Sequence, residues 1–357
     1  MRHRRRPSRL ALTGALAAIV VLGPAGSALA CGGLIAPNGT ISLLRTTTLA
    51  AYHGGVEHYI TSFTFAGSAN AELGSIVPLP GIPTTVKAAG EWTLQRLVIE
   101  TSPPVFEETL ALAASASFDS ARVLFEVEVD ALDITVLEGG AVAVGNWARE
   151  HGFFLPPDAP EVLEFYAARS PIFLAARFNA ARAAEQGVQE GQGTPIHVVI
   201  PTPAPWVPLR ILALGRDPAD LVQADVYLLT DREPALLPQF QEAGRSPGGI
   251  VLERSVAASR SLLADLRSDR GMRWLPSSNM WLSHLQIDTP ARRLTHDLAV
   301  DASGFGRPNP VAAGLRPPLS MDPASLLPGV LAILAIVAVF ASGAFTATRR
   351  GPSRVAA

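Results

Sequence analysis

Hydrophobic and polar residues alternate with a period of two along much of this chain and with a period near 3.6 in a few places, a pattern that predicts a strand-rich fold with some helices. From Arg122 to Asp130, Val123, Phe125, Val127 and Val129 fall on one face and Glu126, Glu128 and Asp130 on the other, as in a half-buried antiparallel strand. Leu49 to His53 and Val56 to Phe65 flank Gly54-Gly55, residues able to take the positive φ of a two-residue turn, which predicts a hairpin. Further strands are expected over Ile172 to Phe178, Ile196 to Ile200, Leu209 to Leu214 and Val222 to Leu229. Gly74 to Val86 reads as an edge strand, because Pro78, Pro80 and Pro83 lack ladder donors. Helices are expected over Glu91 to Leu97, Val142 to His151 and Ala159 to Ala168, the last with a capping box of Asp158 and Glu161. Leu252, Val256, Leu263 and Leu266 opposite Arg254 and Arg260 predict one more, a surface helix. The fold class is therefore α+β, with mostly antiparallel strands.

Both ends break the pattern. Between Pro323 and Thr348 no residue is charged, and Leu326 to Phe345 includes eleven Leu, Ile, Val or Phe among twenty residues. As a helix it would be roughly 30 Å long, the thickness of a bilayer's hydrocarbon. Arg349, Arg350 and Arg354 follow, and cationic residues stay on the cytoplasmic side, so the chain is expected to carry one C-terminal transmembrane helix with everything before it outside. At the other end Arg2, Arg4, Arg5, Arg6 and Arg9 precede a thirteen-residue apolar run, Leu10 to Leu22, too short to span, and Ala28-Leu29-Ala30. That is a cleavable export signal, with cleavage expected between Ala30 and Cys31. Cys31 is the single cysteine, so no intramolecular disulfide is possible; a terminal free thiol and a lipidated one are both readings of its position.

The expected organisation is a signal peptide (1–30), a first strand-rich region (31–182), a Gln- and Gly-rich loop, a second α+β region (195–301), a Pro- and Gly-rich spacer (302–325), the transmembrane helix (326–346) and a basic cytoplasmic tail (347–357). Of 29 basic residues five lie in the signal and three in the tail, which leaves 21 against 31 acidic ones in the exported part. An acidic exported domain is not built to hold nucleic acid. Lys87 is the single lysine.

Candidate chemistry is sparse. Pairing across Gly54-Gly55 sets His53 opposite Val56, so His53 and His58 share one face at roughly 7 to 8 Å. Two readings follow, a pair of metal ligands or a solvated hairpin tip. The spacing from His53 to His58 is one residue longer than in the helical zinc-protease motif, on a strand, with Glu57 on the opposite face, which favours the tip. Arg267, Arg270, Arg273 and Trp274 form a basic and aromatic cluster suited to lipid headgroups, an anionic wall polymer or a neighbouring carboxylate. Pro201, Pro203, Pro205 and Pro208 around Trp206 fit either an extended polyproline surface or an edge segment packed by that indole, and outside the membrane, where readers of polyproline are not expected, the edge segment is favoured. No nucleophile elbow, phosphate loop or zinc-protease helix occurs, and Gly191-x-Gly193 lacks a third glycine, so no cofactor and no catalytic residue is assigned.

The start Cys31-Gly32-Gly33, the segment Ile76 to Pro83, the Trp92 to Leu97 helix, Trp147 to Pro156, Ile172 to Phe178 and Pro203 to Ile211 with its following strand to Asp231 resemble a bacterial family of exported proteins, domain-of-unknown-function family 2330. The resemblance implies localisation and a shared fold, and carries no catalytic residues. The expectation is a membrane-anchored envelope protein that binds or scaffolds a wall polymer or another protein without catalysis. An envelope hydrolase with a spatially assembled His, Asp and Glu site is the alternative.

Overall fold

The computed structural model describes residues 28–29, 33–35, 45–62, 74–101, 122–179, 182, 185, 195–241, 244–246, 248–303 and 305–317. In chain order come β1 (Ala28–Leu29), β2 (Gly33–Ile35), β3 (Arg45–His53), β4 (Val56–Thr61), β5 (Gly74–Pro78), β6 (Thr85–Ala88) and α1 (Trp92–Thr101). Next are β7 (Arg122–Val129), β8 (Leu132–Glu138), α2 (Ala141–Glu150), α3 (Ala159–Ala167) and β9 (Ile172–Phe178). The remainder is β10 (Ile196–Pro201), β11 (Trp206–Val207), β12 (Leu221–Thr230), β13 (Ala235–Leu237), β14 (Ile250–Ala257), α4 (Arg260–Ser268), β15 (Trp281–Pro290) and β16 (Leu298–Asp301).

The strands form three sheets. The largest runs β14-β15-β12-β3-β4-β10-β6, with β1 beside the start of β3; the second runs β2-β5-β9-β8-β7 and a small third one β11-β16-β13. Among the described residues the parallel pairings are β1 with β3 and β3 with β12, and the other pairings are antiparallel. Strands from 31–182 and from 195–301 therefore lie side by side in one sheet.

Alternation along these strands sorts the core into layers. Tyr59, Val198, Ile200, Val226, Leu228, Leu285 and Ile287 of the large sheet meet Val77, Ile134, Val136, Leu174 and Ala176 of the second. The far face of the second sheet, with Leu137, Phe173 and Ala175, is covered by Val144 and Trp147 of α2 and Val162, Leu163 and Tyr166 of α3. The far face of the large sheet, with Leu49, Ile60, Tyr227 and Leu229, is covered by Leu94 and Leu97 of α1 and Leu262, Leu263 and Leu266 of α4. The order of layers is helix, sheet, sheet, helix, and the α+β, mostly antiparallel class holds.

The hairpin has the expected register, His53 opposite Val56 and Ala51 opposite His58, and Gly54 and Gly55 take φ of 60° and 83°. Nothing crowds either glycine, so the demand there is torsional. Several expectations need correction. The surface helix over 252–266 is a strand followed by a helix: β14 pairs with β15, and Ser259 stops the strand by accepting a hydrogen bond from the Leu262 amide at 3.1 Å, which starts α4. The strand over 209–214 is a 3-10 turn, Arg210–Ala213, pulled round by a side chain described below. Asp158 does not cap α3; it accepts from the Gly215 amide at 3.1 Å, while Glu161 pairs with Arg210. A strand absent from the sequence reading, β8, follows β7 through a turn with Asp130 at φ 48°. The hairpin tip is exposed at His53, but Glu57 is buried. Ala312 and Ala313, within the expected spacer, are buried against the fold. No helix among the described residues is long and apolar enough to cross a membrane, and Leu326 to Phe345, Ala30, Cys31 and most of the loop at 183–194 lie outside the described residues.

One buried carboxylate joins the two halves. Asp297 is 0% exposed; its Oδ1 accepts from the Tyr166 hydroxyl (2.8 Å) and from the amides of Leu209 (2.7 Å) and Arg210 (2.9 Å), and its Oδ2 accepts from Arg169 Nη2 (2.6 Å). Tyr166 in turn accepts from the Ile211 amide at 2.8 Å, and Arg169 donates to the Ala312 carbonyl. Replacing Asp297 by Ala strands a buried guanidinium and two amides, a loss of about 3–5 kcal/mol. An unfolding free energy from urea denaturation for Asp297→Ala within about 1 kcal/mol of wild type would contradict this role.

Glu57 is the opposite case. It is 1% exposed and, among the described residues, neither carboxyl oxygen has a hydrogen-bond partner of good geometry, the nearby Trp206 main chain acting to lower the pKa against the larger effect of burial. Burial pushes its pKa from 4.5 up to about 8, so the folded protein holds it protonated at neutral pH. Above the unfolded value the unfolded chain binds fewer protons than the folded one, so stability falls as pH rises from 4.5 towards 8. Between pH 5 and pH 7.5 that amounts to about 3 kcal/mol, which Glu57→Gln should remove from the pH profile of the urea midpoint.

Candidate functional site

The candidate site lies on the helix-covered face of the large sheet, where β4, β10 and β6 run side by side. Antiparallel register puts Val199 of β10 opposite His58 of β4, and Lys87 of β6 opposite His197 of β10, so Lys87, His197 and His58 share one face across three strands. His58 Nδ1 and His197 Nε2 are 2.9 Å apart and share one hydrogen bond, its direction set by the tautomers. Trp274, from the turn after α4, lies flat on His58 with ring centroids 3.4 Å apart and planes 4° from parallel.

Burial pushes His58 down to about 4, with Lys87 and His53 adding repulsion, and pushes His197 down to about 3, with His58 and Lys87 adding to it. Both imidazoles are neutral at pH 7 and make weak general bases. His197 Nδ1 and Trp274 Nε1 are buried with no protein hydrogen-bond partner.

Beside this pair, and lined by neither histidine, is a cleft of about 470 Å³ with Lys87, Arg270 and Arg273 around Gly271 and Trp274. Asp269 also lines it, but its carboxylate is committed: Oδ2 accepts from the Thr93 amide (2.7 Å) and hydroxyl (2.6 Å) at the start of α1, and Oδ1 from the Arg270 amide (2.8 Å). That contact requires glycine at 90, where a Cβ would stand 1.7 Å from Asp269 Oδ1. Arg270 is anchored through Nη2 to the Ala89 carbonyl at 2.7 Å, and Arg273 is exposed. Three cations stand around an aromatic floor, an arrangement complementary to an anionic group.

The other histidines are arranged differently. His53 pairs with Asp231 at 2.6 Å on the surface, so the two histidines of the hairpin have separate partners. His284 Nε2 meets Asp225 Oδ1 at 2.9 Å in the interior and Tyr227 stacks on its ring, while Ser283, by strand alternation, points to the other face. His151 stacks on Trp147 and bonds its carbonyl. No three His, Cys, Asp or Glu side chains converge among the described residues. The sequence placed His58 and Trp274 among its candidates but not their association, and it missed His197, whose partner is 139 positions away and has no local signal.

A family model described as an uncharacterized protein conserved in bacteria (DUF2330) matches residues 25–235. That span holds His58, Lys87 and His197, whereas Arg270, Arg273 and Trp274 come from beyond it. No curated protein and no solved structure matches the chain. With more than half of its length matched, the chain belongs to domain-of-unknown-function family 2330 of bacteria.

Proposed function

We propose that this is a non-catalytic binding protein of the bacterial envelope, held by a C-terminal transmembrane helix at 326–346, whose cleft takes an anionic wall polymer. The observation that carries the reading is the cluster of Lys87, Arg270 and Arg273 around Trp274 in a chain whose exported part is otherwise acidic. Such a focus of positive potential attracts anions locally while the acidic remainder repels them elsewhere, which favours engagement at one place. Neutral, low-pKa imidazoles supply hydrogen bonds more readily than proton transfer. The address rests on the apolar span, the arginines after it and the export signal before Cys31.

One observation favours an envelope hydrolase instead, the hydrogen-bonded histidine pair beneath Trp274, next to the cleft. The two readings separate in one assay. Polyglycerol phosphate should bind the purified full chain and be released unchanged, with affinity falling as salt rises. Arg273→Glu and Lys87→Glu should each weaken binding by about tenfold or more. Shortening of the polymer that stops in His197→Ala would establish the hydrolase, and affinity unchanged in both charge-reversal variants would end the binding proposal.

For the address, external protease on intact cells should degrade residues 45–301, and removal of 326–346 should release the protein from the membrane fraction. A full chain recovered in the soluble fraction would overturn the anchor.

A further inference from the structure

A second depression, of about 610 Å³, lies away from the cleft and shares no lining residue with it. Leu237, Phe240 and Leu315 give it apolar walls, Arg292 and Arg293 stand at it on a 3-10 turn after β15, and among the described residues no acidic one lines it. His296 lines it too. That imidazole is 6% exposed and its Nε2 is buried without a protein hydrogen-bond partner. It is held in place: Thr295 Oγ1 is 3.4 Å from Nδ1, and the Gly248 main chain comes so close that a Cβ there would lie 2.9 Å from Cε1. In the tautomer that the Thr295 hydroxyl supports by donating to Nδ1, Nε2 carries the proton, and among the described residues no group accepts it. Arg292 has one Nη1 contact, to the Pro218 carbonyl at 3.3 Å, and both arginines are exposed.

We infer that this depression is a second ligand site, for a small carboxylate carried on an apolar or aromatic body. The volume suits such a molecule. A planar carboxylate matches the arginine fork at one end and the apolar walls take the body, with the His296 ring alongside. Bare inorganic anions would leave the apolar walls empty, and neutral ring compounds would leave the arginines unmatched.

The test uses the purified full chain and benzoate, with benzyl alcohol and inorganic phosphate as comparisons, read by calorimetry and by the nitrogen resonances of the His296 imidazole. Benzoate should bind at least about tenfold more tightly than either comparison compound and should shift the His296 signals. Arg293→Ala, at an exposed position, should keep the wild-type melting temperature and weaken benzoate by about tenfold, whereas Lys87→Glu should leave benzoate binding unchanged. Benzyl alcohol or phosphate binding as tightly as benzoate, an unmoved His296, or an unaffected Arg293→Ala would each overturn the inference. Loss of benzoate binding in Lys87→Glu would assign the ligand to the cleft and overturn it equally.

Discussion

The Asp297 carboxylate is the contact on which the rest of the architecture leans. Its donors are Tyr166 of α3, Arg169 just after that helix, and the amides of Leu209 and Arg210 where the 3-10 turn begins, and Arg169 donates in turn to the Ala312 carbonyl, so segments distant in sequence are tied together through one carboxylate. A buried ion is costly unless every lone pair is used, and here four donors share the two oxygens. The Arg169 guanidinium is equally enclosed, lying 4.1 Å over the Phe165 ring and 4.9 Å from the rings of Tyr166 and Trp206. Desolvation, with the adjacent negative charge adding to it, raises the Tyr166 hydroxyl well above its ordinary value, which keeps it a donor across the accessible pH range. Specificity follows from geometry: an apolar cluster tolerates sliding, and this arrangement does not.

Adjacent residues of β4 show how one cause acts in two directions. Glu57 faces between the sheets and His58 faces the helices, and burial moves the first up and the second down in pKa. The result is the same for both: at neutral pH neither carries charge. The positive field of the cleft therefore comes from Lys87, Arg270 and Arg273, residues around the floor and not within it. Asp269, the acidic residue at that cleft, is drawn off by the first turn of α1, whose exposed amides need an acceptor. Helix capping and cleft electrostatics are thus one arrangement.

Much of the secondary structure was legible because it is written locally. Gly54-Gly55 determines a turn and hence a register, the alternation from Val123 to Val129 marks β7, and apolar spacing marks α1, α2 and α3. Where local signals ran together the reading went astray: Leu252 and Val256 happen to fit helical spacing with Leu263 and Leu266, yet Ser259 separates a strand from a helix. Asp158 and Glu161 have the letters of a capping box, but Gly215 and Arg210 compete for them from another part of the chain. The 3-10 turn at Arg210–Ala213 is imposed by Asp297, which nothing nearby in sequence announces. The cleft was legible only in pieces. His58 stood out beside His53, and Trp274 beside its arginines, but the sheet register that brings His197 between Lys87 and His58 is a long-range fact.

The placement of β3 against β12 has a consequence for how the protein is made. β3 ends at His53 and its parallel neighbour does not begin until Leu221, so a growing chain has no way to complete the middle of its largest sheet until some two-thirds of it has been synthesised. Pairings this remote are slow to form because the intervening loop must first be closed. For a polypeptide threaded through a translocation pore, as the proposed export route requires, that delay is useful: the fold is assembled late enough for the chain to pass while it is still extended.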